Sequence, residues 1–515
     1  MFFTHGTMRD LIRQLFDRKK QTTTSPEEAK KQHERGKLTA RERVELLLDP
    51  ESFLELGSLM RARSLPHEKQ FDGDGVLAGH GTIQGRKVCV YAQDFTKMGG
   101  SLGEVQAKKI ARVLKMALKN GIPSIALIDS GGSRIQEGLR SLEGYAKIFR
   151  NNVSASGIVP QISVILGPSA GGASYSPALT DFIFMVTGVS HMFITGPSVV
   201  ESTTGENVSS EQLGGATVHA MRSGVAHFAY PDERTCLEGV RKLLSYLPSN
   251  YLEEPPYLPW NANQTSPSEA VMNAVPTDQQ KTYDIKNVLR EVVDFNSFFE
   301  IQEAYAQNIV VGFARIEGRP VGLVANQTQH LAGCLDINAS DKLARFVRTC
   351  NAFSIPILNF VDCPGYLPGI EQEHQGIIRH GAKVLFAYAE ATVPKIAVVL
   401  RKAYGGAYIA LAAKHLGYDF TLAWPTAEIA VMGAEQAVKV LYKKDLEDKA
   451  TSEELMQTKM QEYREKIMNP YVAAEQGYID DIIDPTQTRT VLASSLALLE
   501  NKRERRNGRV GNIPL

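Results

Sequence analysis

Two seven-residue stretches, PSIALID at 123–129 and PILNFVD at 356–362, decide the fold. Each opens on a proline, runs through strand-forming apolar residues and closes on an aspartate. They lie 233 residues apart, and the same spacing relates Gly79 to Gly312, Gly85-Arg86 to Gly318-Arg319, Ala92 to Ala325, Gly100 to Gly333, Leu102 to Leu335 and Ala111-Arg112 to Ala344-Arg345. Beyond the aspartates the spacing becomes 234, which pairs Pro160 with Pro394 and Gly171-Gly172 with Gly405-Gly406. Lone glycines coincide by chance. A dozen matches in register over about 90 residues mark a duplicated domain with one inserted residue.

Within each copy, short Val- and Ile-rich runs (VCVYAQ, SIALID and QISVILG; VGLVAN, PILNFV and KIAVVL) alternate with helical patterns such as Glu104 to Asn120 and Ser340 to Cys350. That alternation predicts α/β layers with crossover helices. Between Pro248 and Pro276 six of the 24 prolines fall among polar residues such as Asn261, Gln264 and Ser266, the composition of an interdomain linker. The expected organisation is an N-terminal helical arm at 1–57, a first domain at 58–247, a linker at 248–283 and a second domain at 284–515. In the arm, Thr39 three residues before Glu42 reads as a capping box that opens a short helix.

The rest of the composition removes whole classes of function. The 515 residues carry 57 Lys plus Arg against 57 Asp plus Glu, so no global positive field exists for nucleic acid or an anionic membrane. Hydrophobic residues at 43% and charged residues at 22% describe an ordinary folded chain. The five cysteines (Cys89, Cys236, Cys334, Cys350 and Cys363) stand singly, which excludes a disulfide framework or zinc ribbon and predicts a reducing, cytoplasmic home. No apolar run reaches a bilayer-spanning length, and after Met1, Phe2 and Phe3 the charges at Arg9, Asp10, Asp17 and Arg18 leave no export signal to expect. No metal site and no phosphate-binding loop of Walker type is encoded.

Both copies have glycine-rich turns where strand runs meet helical ones: Ser130-Gly131-Gly132-Ser133 and Ala170-Gly171-Gly172-Ala173 in the first, Pro364-Gly365-Tyr366 and Tyr404-Gly405-Gly406-Ala407 in the second. A Gly-Gly pair there brings backbone close to a ligand, with the first unpaired helical amides pointing outward, which makes an anion or oxyanion receptor. The alternative is glycine used only for tight packing. A second motif overlaps the first pair: Gly167-Pro168-Ser169-Ala170-Gly171 fits a hydrolase nucleophile elbow, with His191, His219 and His227 downstream. The second copy keeps the double glycine but has Ala403 in place of Ser169, which favours the receptor. Asp129 and Asp362 read as turn or cap residues more readily than as catalysts.

At these turns the chain resembles a family. The strings GKLTARERVELLLD, DSGGSRIQEG, GPSAGGASYSPALTD, VDCPGYLPG, RKAYGGAY and AWPTAEIAVMGA are similar to the carboxyltransferase (β) subunits of biotin-dependent acyl-CoA carboxylases, from near the N-terminus to near the C-terminus. The resemblance implies an α/β fold of two tandem crotonase-like domains of ββα superhelical type. It implies a homo-hexamer whose active sites join the first domain of one chain to the second domain of another. It implies transfer of a carboxyl group from carboxybiotin to the α-carbon of propionyl-CoA or acetyl-CoA. The coenzyme A thioester is then a substrate, and biotin arrives covalently attached to a biotin carboxylase or carboxyl carrier subunit.

By the same resemblance, Gly171 and Gly172 donate to the thioester carbonyl, Gly406 and Ala407 to the biotin ureido carbonyl, and Gly131, Gly132, Ser133, Arg134, Ala170, Tyr175, Gly365, Tyr366 and Ile409 line the substrate sites. Where propionyl-preferring members often carry Asp after GGAY, this chain has Ile409, the type found with acetyl-CoA acceptance or in the decarboxylase and transcarboxylase branch. The alternatives are a decarboxylase or transcarboxylase subunit running the transfer toward biotin, and a non-catalytic scaffold.

Overall fold

The computed structural model describes residues 7–514 apart from 21, 23, 63, 67–69, 261–268, 447–451, 503 and 505–511. The chain divides into two units, Met1–Glu253 and Glu254–Leu515. The first holds strands β1 (Leu54–Glu55), β2 (Val76–Ile83), β3 (Arg86–Gln93), β4 (Ser124–Ser130), β5 (Gln161–Ala170), β6 (Phe182–Val186), β7 (His191–Phe193) and β8 (Phe228–Tyr230). The second holds β9 (Phe299–Ile301), β10 (Ile309–Ile316), β11 (Arg319–Asn326), β12 (Ile357–Cys363), β13 (Lys395–Tyr404), β14 (Phe420–Ala423), β15 (Glu428–Ala430) and β16 (Asp481–Ile482).

The two sheets repeat one another strand for strand. The first runs β1-β2-β3-β4-β5-β6-β8 with β7 on β5, and the second runs β9-β10-β11-β12-β13-β14-β16 with β15 on β13. In each, an antiparallel hairpin leads into parallel strands. The register repeats too: Cys89 faces Ser124 as Gly322 faces Ile357, and both β4–β5 and β12–β13 slip once, at Asp129 and at Asp362. β4 and β12 are buried along their whole length, as central parallel strands covered on both faces must be. The predicted helices form as Glu104–Asn120 and Ile337–Ala352.

Two equivalent lysines fasten the entry to each hairpin. Lys109 donates to the carbonyls of Gly73 (2.9 Å) and Val76 (2.5 Å), and Lys342 to those of Ala306 (3.4 Å) and Ile309 (2.8 Å), each acceptor displaced by the same 233 residues. Lys342 adds the carbonyls of Gln302 (3.0 Å) and Tyr305 (2.7 Å). Both ammonium groups are buried, so these carbonyls are the acceptors that replace water.

The Thr39–Glu42 capping box is present and opens the helix Ala40–Leu47, which lies on the first sheet. The proline-rich stretch is less of a tether than its composition suggests. The carbonyl of Pro256 accepts from Arg315 (2.8 Å), and those of Pro276, Asp278 and Lys281 accept from Arg401. Those parts are therefore laid onto the second unit, while Asn261, Gln264 and Ser266 lie outside the described residues.

Replacing either clamp lysine by Met removes two or more buried hydrogen bonds and is expected to cost roughly 2–4 kcal/mol. Calorimetry of Lys342→Met and Lys109→Met should show thermal transitions lowered by several degrees; unchanged transitions would contradict the clamp.

Candidate active site

β5 and β13 end in the same turn. Gly171 follows Ala170 with φ 58° and ψ −122°, and Gly405 follows Tyr404 with φ 54°. This left-handed region is where glycine alone is unstrained. At Gly405 a Cβ would also lie 2.9 Å from the Val431 carbonyl. The helices Gly172–Ala178 and Gly405–Ala412 then begin at once. An aromatic ring lies against the first amides of each: a Cβ on Gly172 would lie 2.8 Å from the Tyr145 ring, and one on Gly406 3.3 Å from the Tyr366 ring. The side chain most intimate with each turn is therefore apolar and flat.

The amides sort themselves by what they already bond. Gly171 donates to the Phe193 carbonyl (3.1 Å), continuing the β5–β7 ladder, so its own N–H is spent in the sheet. Ser174 donates to the Gly171 carbonyl (3.0 Å). That leaves Gly172 and Ala173, the first two residues of the helix, without an intrahelical acceptor. At the 234 spacing their counterparts are Gly406 and Ala407. The expected pairs, Gly171 with Gly172 and Gly406 with Ala407, are one residue out of step between the halves, and the bonding of the Gly171 amide leaves Gly172 and Ala173 as the first-unit residues in register with Gly406 and Ala407. Gly171 is the bend that precedes the helix.

The preceding turn is likewise committed. Gly131 donates to the Gly99 carbonyl (2.9 Å), and Gly132 donates to Ser130 Oγ (3.2 Å) and accepts from Leu102 (2.8 Å). Arg134, expected to line a substrate site, has its side chain turned into the interior. It is wholly buried, donating to Asp74 (2.7 Å), Glu137 (2.8 Å) and the Ser101 carbonyl (3.0 Å). Tyr366 is a floor under Gly406 and Gly381, with its Oη 3.4 Å from the Gly381 carbonyl. Ser133, Ala170 and Gly365 are partly exposed. Tyr175 and Ile409, at 50% and 49% exposure, lie on the two helices that start at the turns.

The serine elbow is not assembled. Ser169 is fully buried and its Oγ has no hydrogen-bond partner. His191 pairs with Glu211 (3.2 Å), His219 with the Met192 carbonyl (2.8 Å), and His227 accepts from the Ile183 amide (3.1 Å). The buried aspartates at the ends of β4 and β12 are already paired. Asp129 is held by Lys37 (2.6 Å) and Arg43 (2.9 Å), and Asp362 by Arg401 (2.8 Å) and the Tyr283 phenol (3.0 Å), all buried. Burial pushes the Tyr145 and Tyr366 phenols up, and burial with the Glu428 carboxylate beside it does the same to Tyr404. None supplies a base near neutral pH. What the two helix starts offer is main-chain N–H.

Sequence reasoning overlooked Tyr145, whose ring continues through Phe149 (5.8 Å) to Tyr175 (6.3 Å) as an aromatic file beside the first turn. The i, i+4 spacing of Tyr145 and Phe149 on the helix Leu139–Ala155 was the available signal. Among the described residues no helix is long and apolar enough to cross a membrane.

Comparison with known proteins places this geometry. The carboxyl transferase domain model matches residues 31–513. The chain is 52% identical to the propionyl-CoA carboxylase carboxyltransferase subunit of Haloferax mediterranei, over 99% of this chain and all of that one. It is also 52% identical to the methylmalonyl-CoA decarboxylase subunit alpha of Veillonella parvula, over 94% of each. The crystal structure of transcarboxylase 12S, a hexamer with methylmalonyl-coenzyme A and methylmalonic acid bound, superposes with a TM-score of 0.97 at 48% identity over the whole of both chains. The fold is that of this group, two crotonase-like domains in tandem.

A fluorophosphonate probe followed by peptide mass spectrometry is expected to leave Ser169 unlabelled. An adduct on Ser169 would restore the nucleophile.

Proposed function

This chain belongs to the carboxyl transferase domain family, and on that premise we propose that it moves a carboxyl group from biotin to the α-carbon of propionyl-CoA or acetyl-CoA, as the carboxyltransferase subunit of a biotin-dependent carboxylase. The observation that supports the reading is the pair of equivalent helix starts, whose first amides have no intrahelical acceptor. Two substrates that both develop charge on a carbonyl oxygen need two oxyanion receptors, and a duplicated domain supplies them.

Gly172 and Ala173 receive the thioester oxygen. Each donor aimed at the developing enolate is worth roughly 3 kcal/mol, so the pair acidifies the α-carbon without a side-chain acid. Gly406 and Ala407 receive the ureido oxygen of biotin, and the flat Tyr366 ring beneath them suits a planar ring system. Bound biotin supplies the carboxyl group and, once that group has left, the acceptor for the α-proton. The chain itself orients the two reactants, excludes water and holds both oxygens.

Biotin reaches the site on a partner, a biotin carboxylase or carboxyl carrier subunit. The chain itself assembles as a hexamer, as the transcarboxylase 12S structure does. Exposed apolar side chains near each turn, Leu139 and Ile194 in the first unit and Ile378 and Val431 in the second, are the surfaces such an assembly would cover. A cytoplasmic location accords with this chemistry.

Ile409 supports a second reading of direction. It stands exposed on the helix that carries Gly406 and Ala407, and an aliphatic residue there is the type found in the decarboxylase and transcarboxylase branch. The same two receptors run the transfer toward biotin equally well.

Steady-state assay of the purified chain with its biotinylated partner on acetyl-, propionyl- and butyryl-CoA tests substrate class and direction together. Gly172→Val and Gly406→Val are each expected to lower carboxyl exchange about 100-fold, with hexamer mass unchanged. Exchange at the wild-type rate in either variant would favour a scaffold. Ile409→Asp is expected to shift the relative kcat/KM toward propionyl-CoA, by about tenfold at most; identical ratios would remove Ile409 from selectivity.

A further inference from the structure

The two buried aspartates are met by positive charge from different parts of the chain, and the difference falls on one strand position. Asp362 is paired by Arg401, which lies on β13 itself. At the 234 spacing the residue of β5 that corresponds to Arg401 is Gly167. The space left by its missing side chain is filled: a Cβ on Gly167 would lie 2.0 Å from Asp129 Oδ1 and 2.7 Å from Lys37 Nζ. Lys37 and Arg43 both come from the N-terminal arm, and both reach Asp129 Oδ2, at 2.6 and 2.9 Å. Arg43 also donates to the Leu166 carbonyl on β5 (2.8 Å) and forks onto Glu233 (2.6 and 2.8 Å). The second half carries the counter-charge in its own sheet. The first half borrows it from the arm.

We infer that Lys37 and Arg43 are positioning residues for the acyl-side turn: by fixing Asp129 and Leu166 they set the direction of the Gly172 and Ala173 amides. The route is short. Asp129 sits at the register slip between β4 and β5, next to Ser130, which faces Ser169 across the ladder and accepts the Gly132 amide. Leu166 lies on the strand that ends at Ala170, immediately before the bend at Gly171. The buried carboxylate must keep its partners, because a charge stripped of them in the interior draws in water or moves. Loss of an arm cation therefore loosens the strand ends that aim the amides. The second turn takes its cation from the strand that ends in it, since Arg401 lies on β13. This inference rests on the reading that Gly172 and Ala173 receive the acyl carbonyl.

Calorimetric titration of the full-length protein with coenzyme A, propionyl-CoA and free biotin separates positioning from simple loss of structure. In wild type, the ratio of the coenzyme A and propionyl-CoA dissociation constants reports the acyl group's own contribution. Lys37→Met is expected to shrink that ratio about tenfold while Kd for coenzyme A and for biotin stays within about twofold. Arg43→Lys keeps the charge but loses the fork, and should shrink the ratio to an intermediate value; it carries the same comparison if Lys37→Met does not fold. A ratio unchanged in both variants overturns the inference, and so do three constants that weaken together. A wild-type protein that binds coenzyme A as tightly as propionyl-CoA defeats the receptor reading itself, and this inference with it.

Discussion

The structure depends on one backbone bend made twice. β5 and β13 each run out of the sheet into a glycine with positive φ, and the helix that follows starts before its first amides find an acceptor. An L side chain at Gly171 or Gly405 costs about 1 kcal/mol or more in that region, and at Gly405 it would also meet the Val431 carbonyl. Both bends are set among the same kinds of neighbours. The rings of Tyr145 and Tyr366 occupy the space beneath the helix starts, the short strands β7 and β15 pair with the ends of β5 and β13, and buried carboxylates at the register slips hold the neighbouring strands.

Much of this was written in the order of residues. The 233- and 234-residue spacings anticipated two equivalent sheets because duplicated chains fold into duplicated cores, and the proline-to-aspartate runs became β4 and β12. The capping box at Thr39 and the helix Glu104–Asn120 were equally plain, since both are local patterns. What the sequence did not show has one cause. Gly171 lost its free amide to Phe193, which returns on the three-residue strand β7. Arg134 was buried by Asp74 and Ser101, residues that only the fold brings beside it. A one-residue error in which amide is free, or a reversed orientation of one side chain, turns on contacts between distant segments, and no local pattern encodes them.

Divergence after duplication is visible in how the halves solve the same electrostatic problem. A buried carboxylate needs a cation, and evolution of the two copies placed it differently: in the strand as Arg401, or outside the sheet at Lys37 and Arg43 with Gly167 making room. The glycine of the apparent nucleophile elbow is thereby explained without a nucleophile. Equivalent lysines, Lys109 and Lys342, show the opposite case, where both copies kept one solution unchanged. The aspartates tolerated rearrangement because the requirement is a charge at a place, whereas the lysine clamp requires a chain of fixed length reaching fixed carbonyls.

The most direct measurement is a structure of the assembled protein with a non-hydrolysable propionyl-CoA analogue and biotin. The account predicts the acyl oxygen at about 2.8–3.2 Å from the amides of Gly172 and Ala173, with the ureido oxygen in the corresponding place at Gly406 and Ala407. An acyl oxygen bound elsewhere, with those amides facing only water, would contradict it.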